Sequence, residues 1–311
     1  MMKKIPVWID TDTGVDDAVA LLLACKLEEI DLVGVSAVMG NVTLENTFRN
    51  ARDVLYLAGK QDIKVYAGAS TPLIKQHFAA VNVHGNNGLG GAIIETSKAE
   101  IETKNAYDAL YEKAKELNGE LIVCAIGPLT NIAITISKYP DFINYVKQLN
   151  IMGGAADGGN VTPCAEFNIY ADPDAAECVF KSGININMFG LDVTMKAFLD
   201  EDDLEEIYAY DNKASNLFKD STRLIYQHRK QFYDIGLCEH DSCPVVYIVH
   251  PEWFTGHKCS VFVETHSKIT AGKTVTDLWS DYKYEKQNCT LFTDINQKEF
   301  SKLIKDIYKS Y

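Results

Sequence analysis

Long apolar runs are missing from this chain. No stretch approaches the roughly 20 consecutive apolar residues of a membrane-spanning helix, so an integral membrane protein is not expected. The first residues, Met1-Met2-Lys3-Lys4-Ile5-Pro6, lack the apolar core and cleavage site of a secretory signal and pass straight into a strand-like run. A cytoplasmic location is the expectation. Basic residues are scarce beside acidic ones, 30 against 43, for a formal net charge of −13. Binding to a phosphate backbone needs a basic face, so nucleic acid is not an expected partner. An acidic surface that favours solubility accounts for most of this charge. Cysteine pairs are also absent. The eight cysteines, at 25, 124, 164, 178, 238, 243, 259 and 289, form no C-x-x-C spacing, which removes zinc-ribbon and thioredoxin-like readings. Several lie inside apolar runs, as Cys124 does in Leu121-Ile122-Val123-Cys124, and reduced buried thiols are expected.

What is present is an ordinary globular composition over 311 residues, 47% hydrophobic and 23% charged. Short apolar runs at 5–9, 32–38, 121–126, 149–152 and 184–189 read as strands. Helical patterns at 15–26, 43–58, 104–117, 129–137 and 173–181 alternate with them. That alternation predicts an α/β fold, Rossmann-like, with a mostly parallel central sheet flanked by helices. Gly183 is placed to close the 173–181 helix as a C′ glycine. Residues 200–232 are polar, helical in propensity and poor in strands, and predict a helical excursion beside the sheet. The glycines and asparagines of His84-Gly85-Asn86-Asn87-Gly88-Leu89-Gly90-Gly91 mark a loop within 75–95.

The most informative segment is Asp10-Thr11-Asp12-Thr13-Gly14-Val15-Asp16-Asp17. Four carboxylates fall within eight residues at the end of the first strand, the edge where open α/β sheets bind ligands. Packed together they repel one another unless a cation neutralises them, and oxygen ligands select a hard ion, calcium or magnesium. Gly14 is expected to let the backbone turn sharply. An acidic helix start explains Asp16 and Asp17 but not Asp10 and Asp12, which precede the turn. A D-x-D turn after a first strand also serves phosphatases with an aspartyl nucleophile.

The segment resembles the D-x-D-P-G-x-D-D signature of the inosine–uridine nucleoside hydrolase family. Further segments resemble the family in order: Gly40-Asn41-Val42-Thr43 with Arg49-Asn50-Ala51, His84-Gly85, Ile126-Gly127-Pro128-Leu129-Thr130-Asn131, Met152-Gly153-Gly154, Asn160, Ala165-Glu166-Phe167-Asn168, Asp172-Pro173-Asp174-Ala175-Ala176 and His240-Asp241. The stretch from Leu121 to Thr194 is most similar to the bacterial branch that accepts purine and pyrimidine nucleosides.

The resemblance implies one nucleoside hydrolase domain over 1–311, Ca2+ as cofactor, ribonucleosides as substrates and a homodimer or homotetramer. It implies that Asp12, Asp17, Asp241 and the main-chain carbonyl of Ile126 hold the ion. Asp12 doubles as the general base toward water, with Asp10 as a supporting carboxylate. Asp16, Asn160, Glu166 and Asn168 match ribose-hydroxyl positions, Asn41 and Met152 sugar contacts, and His84 and His240 positions near the base. His240 is the candidate acid toward the leaving base, since histidine titrates near neutrality. Glu166 and Asn168, two apart, share a face if the segment is extended. Thr13 stands where the family usually has proline. The match fades at 225–233, leaving base preference open, with His228 and Tyr233 as candidates to reach the base or simply to face solvent. A metal-dependent phosphatase and a non-catalytic nucleoside or sugar binder on the same fold are the competing readings. No phosphate-binding lysine motif favours the former.

Overall fold

The structure, a computed structural model, describes residues 3–229, 236–279 and 287–311. Its elements run β1 (Ile5–Thr11), α1 (Val15–Lys26), β2 (Ile30–Ala37), α2 (Leu44–Leu57), β3 (Val65–Ala67), α3 (Val81–His84), α4 (Ala106–Leu117), β4 (Leu121–Ala125), α5 (Thr130–Lys138), β5 (Val146–Met152), α6 (Phe167–Ala171), α7 (Pro173–Lys181) and β6 (Ile186–Phe189). They continue as α8 (Leu191–Thr194), β7 (Phe198–Leu199), α9 (Glu201–Tyr208), α10 (Lys213–Arg229), β8 (Leu237–Cys238), α11 (Ser242–Val249), β9 (Phe254–Val263), β10 (Thr274–Asp277), β11 (Cys289–Ile295) and α12 (Gln297–Lys309).

Among the described residues one sheet has the order β10-β9-β11-β6-β5-β4-β1-β2-β3. All neighbours from β11 to β3 are parallel, and β9 is antiparallel to both β10 and β11. The mostly parallel α/β fold expected from the alternation is therefore present. The chain winds from β1 through β2 to β3 in one direction, then crosses to β4, β5 and β6 on the other side of β1. The crevice between the ends of β1 and β4 is a topological switch point, where such sheets accept ligands.

Alternation along β1 shows how the sheet is buried on both faces. Val7 and Ile9 join one core with the leucines of α1, Val245 and Val246 of α11, and Phe300 and Ile304 of α12. Trp8 points the other way, into a core with Leu110, Val123, Ile132 and Phe180. Helix α1 is buried from Ala18 to Ala24, which is why its sequence is apolar all round. The 200–232 excursion is helical as expected, in α9 and α10; 230–232 lie outside the described residues. All eight cysteines are free thiols, and Gly183 follows α7 with a φ of +83°.

Trp8 ties this core to the acidic turn. Its Nε1 donates to Ser36 Oγ at 2.8 Å, and Ser36 donates in turn to Asp10. Gly34 of β2 leaves room for the indole: a Cβ there would lie 2.3 Å from Trp8 Cζ3. Gly34→Ala should lower the unfolding free energy by about 1–3 kcal/mol, measured by urea denaturation, because the rigid ring has to move.

Candidate functional site

Strand β1 carries Asp10 and the following Asp12 out of the core to the switch point, both fully buried. Asp10 accepts from Ser36 and, at 2.7 Å, from Asn131 Nδ2. The other end of Asn131 accepts from the Ala69 amide at 2.8 Å, so one side chain fixes α5, β1 and the segment after β3. Burial drives the Asp10 carboxyl up to about 7, against the lowering effect of those two donors. Asp12 Oδ2 accepts from the Asn41 amide at 2.7 Å, while its buried Oδ1 has no hydrogen-bond partner among the described residues. Two glycines wall this carboxylate: a Cβ on Gly40 would lie 2.0 Å from Oδ2, and one on Gly127 would lie 2.7 Å from Oδ1.

Asp17 closes the first turn of α1 by accepting from the Gly14 amide at 2.8 Å; it also takes Thr11 Oγ1 at 2.5 Å and Asn41 Nδ2 at 3.1 Å. It is thus a helix-start residue and a member of the acidic cluster at once. Thr13, in the place of the family's proline, is held by a 3.1 Å contact between its hydroxyl and that of Thr11. Gly14 departs from expectation. Its φ of −100° is open to any residue; what it supplies is space, since a Cβ would meet His84 Nδ1 at 2.5 Å and Asn41 Nδ2 at 2.6 Å.

Asp241 arrives from the far end of the chain, where the β7–β8 pairing delivers it to the start of α11. Cys124 and Asn150 anchor that helix through the Pro244 carbonyl, at 3.7 and 3.1 Å. Carboxylate oxygens of Asp16, Asp17 and Asp241 all lie within 4.8 Å of one another, the acidic group among the described residues that could hold a metal ion. Asp12 stands beside this trio. Burial first, then mutual repulsion, raises Asp12, Asp17 and Asp241 above the ordinary aspartate range. Buried like charges with an unpartnered oxygen are what a hard cation relieves, so the residues fit a calcium- or magnesium-sized ion.

Around this cluster opens a cavity of about 1230 Å³. Asp12, Asp16, Asn41, His84, Ile126, Met152, Asn160, Glu166, Asn168, His240 and Asp241 all line it. Asp10 and Asp17 lie behind that wall. Asn168 Nδ2 donates to the carbonyls of Ile126 (2.9 Å) and Met152 (3.1 Å) and approaches Met152 Sδ at 3.4 Å, joining the ends of β4 and β5. The extended segment expected at 166–168 is not found. Glu166 caps α6, accepting from the amides of Asn168, Ile169 and Gly154, because a carboxylate before a helix meets its free N–H groups. Asn160, at the rim, accepts from the Phe167 amide at 2.9 Å. His84 Nδ1 lies 3.1 Å from the Val15 amide and accepts from it, so the ring is neutral; burial lowers its value to about 4. His240 Nδ1 pairs with Thr194 Oγ1 at 2.8 Å. His228 stands in the last turn of α10, and Tyr233 lies outside the described residues. Sequence reasoning passed over Asn131, Thr194 and Glu239. The first lies inside a quoted motif, and the last is a buried acid immediately before His240.

An acidic, cation-ready pocket edged with amides and carboxylates thus lies at the switch point of a doubly wound α/β sheet, where such folds place their ligand sites. The sequence profile of the inosine-uridine preferring nucleoside hydrolases matches residues 7–302. A pyrimidine-specific ribonucleoside hydrolase, RihA, from Photobacterium profundum is 36% identical, over 98% of this chain and 99% of its own. Among solved structures, the plant nucleoside hydrolase PpNRh1 superposes with a TM-score of 0.92 at 32% identity, covering 99% of both chains. A purine-preferring ribonucleoside hydrolase from Gardnerella vaginalis gives 0.90 at 30%, covering 98% of this chain and all of the other. The chain belongs to the inosine–uridine preferring nucleoside hydrolase family.

Glu166 makes a pH prediction. Burial holds its carboxyl at about 7, above the ordinary 4.5, so the folded protein binds this proton more tightly than the unfolded chain. The associated stability is complete below the unfolded value and lost as pH rises through about 7. Between about pH 5 and about pH 8, metal-free wild type should lose more stability than Glu166→Gln in denaturant titrations.

Proposed function

We propose that this chain is a calcium-dependent ribonucleoside hydrolase, a single domain that cleaves the N-glycosidic bond of purine or pyrimidine ribonucleosides to a free base and ribose. The observation that carries the reading is the convergence of Asp12, Asp16, Asp17 and Asp241 beside an unpartnered Asp12 oxygen in the cavity. Family membership supports the substrate class. Among the described residues no helix is long and apolar enough to cross a membrane, and the reading extends to a cytoplasmic homodimer or homotetramer.

Asp12, Asp17, Asp241 and the Ile126 carbonyl would hold the ion. Calcium accepts about six to eight oxygens, so when bound it supplies positive charge to a water and to the 2′- and 3′-hydroxyls together. Asp12 Oδ1 takes the proton of the attacking water. Asp16, Asn41, Asn160, Glu166 and Asn168 orient the sugar hydroxyls. Met152 lies against the sugar ring, where a polarisable, apolar group tolerates an oxocarbenium-like transition state. As the bond to C1′ breaks, its electrons pass to the base nitrogen. His240, steadied through Nδ1 by Thr194, gives the base a proton, and neutral His84 lines the pocket.

The test is ribose release from uridine, inosine and their 2′-deoxy counterparts, by wild type and Asp12→Asn, with and without a chelator. Ribonucleosides should be cleaved, deoxy compounds about 10⁴-fold less well, and chelation or Asp12→Asn should abolish most turnover in a folded protein. No release from any nucleoside would sink the reading. Phosphate release from phosphomonoesters would favour a phosphatase, and binding without turnover a sensor.

A further inference from the structure

Glu239 is a buried acid for which the reaction above has no use. It follows β8, precedes His240 and lines the cavity, yet only 1% of its surface is exposed. Its Oε2 has no hydrogen-bond partner among the described residues. Leaving a buried carboxyl oxygen unsatisfied costs stability, and such groups in native proteins have a reason to be there. The hydroxyls of Thr222, Tyr208 and Thr194 are committed elsewhere. Thr222 donates to the Phe218 carbonyl at 2.6 Å, so its 2.8 Å contact with Tyr208 uses the tyrosine's proton. Thr194 is engaged by His240. Met195, Leu237 and Cys238 line the same cavity and Thr222 joins them, giving an apolar wall with few polar groups, the make-up of a pocket for a flat heterocycle.

We propose that Glu239 is a base-recognition residue, whose free oxygen accepts a hydrogen bond from a ring N–H of the nucleobase, such as N3–H of uracil or N1–H of hypoxanthine. The assignment rests on the ribonucleoside reading, in which adjacent His240 meets the leaving base. It does not depend on the charge of Glu239, because either protonation state leaves an oxygen able to accept. Bases with a ring N–H at that edge satisfy the carboxyl; an N-methylated base, with neither donor nor acceptor there, leaves it unpaired, which is the stronger source of discrimination.

The experiment compares kcat/KM for uridine and 3-methyluridine, and for inosine and 1-methylinosine, with nitrophenyl riboside as a substrate whose leaving group has no ring N–H. Wild type, Glu239→Gln and Glu239→Ala are assayed with calcium, alongside thermal unfolding. Wild type should prefer an unmethylated base by about tenfold or more. In Glu239→Ala that preference should fall to about threefold or less, with uridine or inosine losing at least about tenfold more than nitrophenyl riboside. Glu239→Gln keeps an acceptor oxygen and should retain part of the preference. A preference that survives in both variants, or equal losses on all substrates, would overturn the assignment and leave Glu239 a structural residue. Wild type with turnover but no preference would overturn it alone, whereas wild type without turnover on any substrate would overturn the hydrolase reading as well.

Discussion

Repulsion among buried carboxylates at the end of β1 is the constraint on which this site depends. Asp10, Asp12, Asp17 and Asp241 are all nearly inaccessible to solvent, with half-buried Asp16 beside them. Like charges removed from water this far resist ionisation, and the rises at Asp12, Asp17 and Asp241 have that cause. A chain that keeps such a cluster gives up stability in the metal-free state. The compensation is a preorganised cage: oxygens are already gathered where a cation is to be held, so little ordering remains when it binds.

The surrounding polar groups brace that cage. Asn131 links Asp10 to the Ala69 amide, Asn41 clamps Asp12 and Asp17 together, and Asn168 ties the carbonyls ending β4 and β5. Each is an amide with donors set against oxygens, suited to hold carboxylates and carbonyls without adding charge. The sheet makes this possible, because the switch point separates the ends of β1 and β4 and leaves a crevice into which neighbouring strands project. Long-range closure comes last. The β7–β8 pair and the Pro244 anchor bring Asp241 back from more than two hundred residues away.

Much of this was legible in the sequence for physical reasons. Parallel strands buried on both faces give apolar runs, and α1, buried all round, is apolar at every position from Ala18 to Ala24. The acidic turn could be read because two of its four aspartates, Asp10 and Asp12, precede the helix and so are not explained by an acidic helix start. Other features depend on partners distant in sequence. Gly14 is required by His84 and Asn41 rather than by its own dihedrals, which no local pattern reveals. The helical start at Glu166 was missed because a five-residue helix has too few turns to show periodicity. The strands β9, β10 and β11 at one end of the sheet escaped the strand reading altogether; polar Thr255, His257 and Lys258 interrupt the apolar pattern of β9. Glu239 is one charge among many until burial singles it out.

The central claim, that the carboxylate cluster is strained until a cation neutralises it, is tested most directly by thermal unfolding of chelator-stripped protein titrated with calcium. The account predicts a saturable rise in Tm, by mass action on a site present only in the folded state, and a smaller rise in Asp241→Asn. A stripped protein whose Tm is unmoved by calcium or magnesium would contradict it.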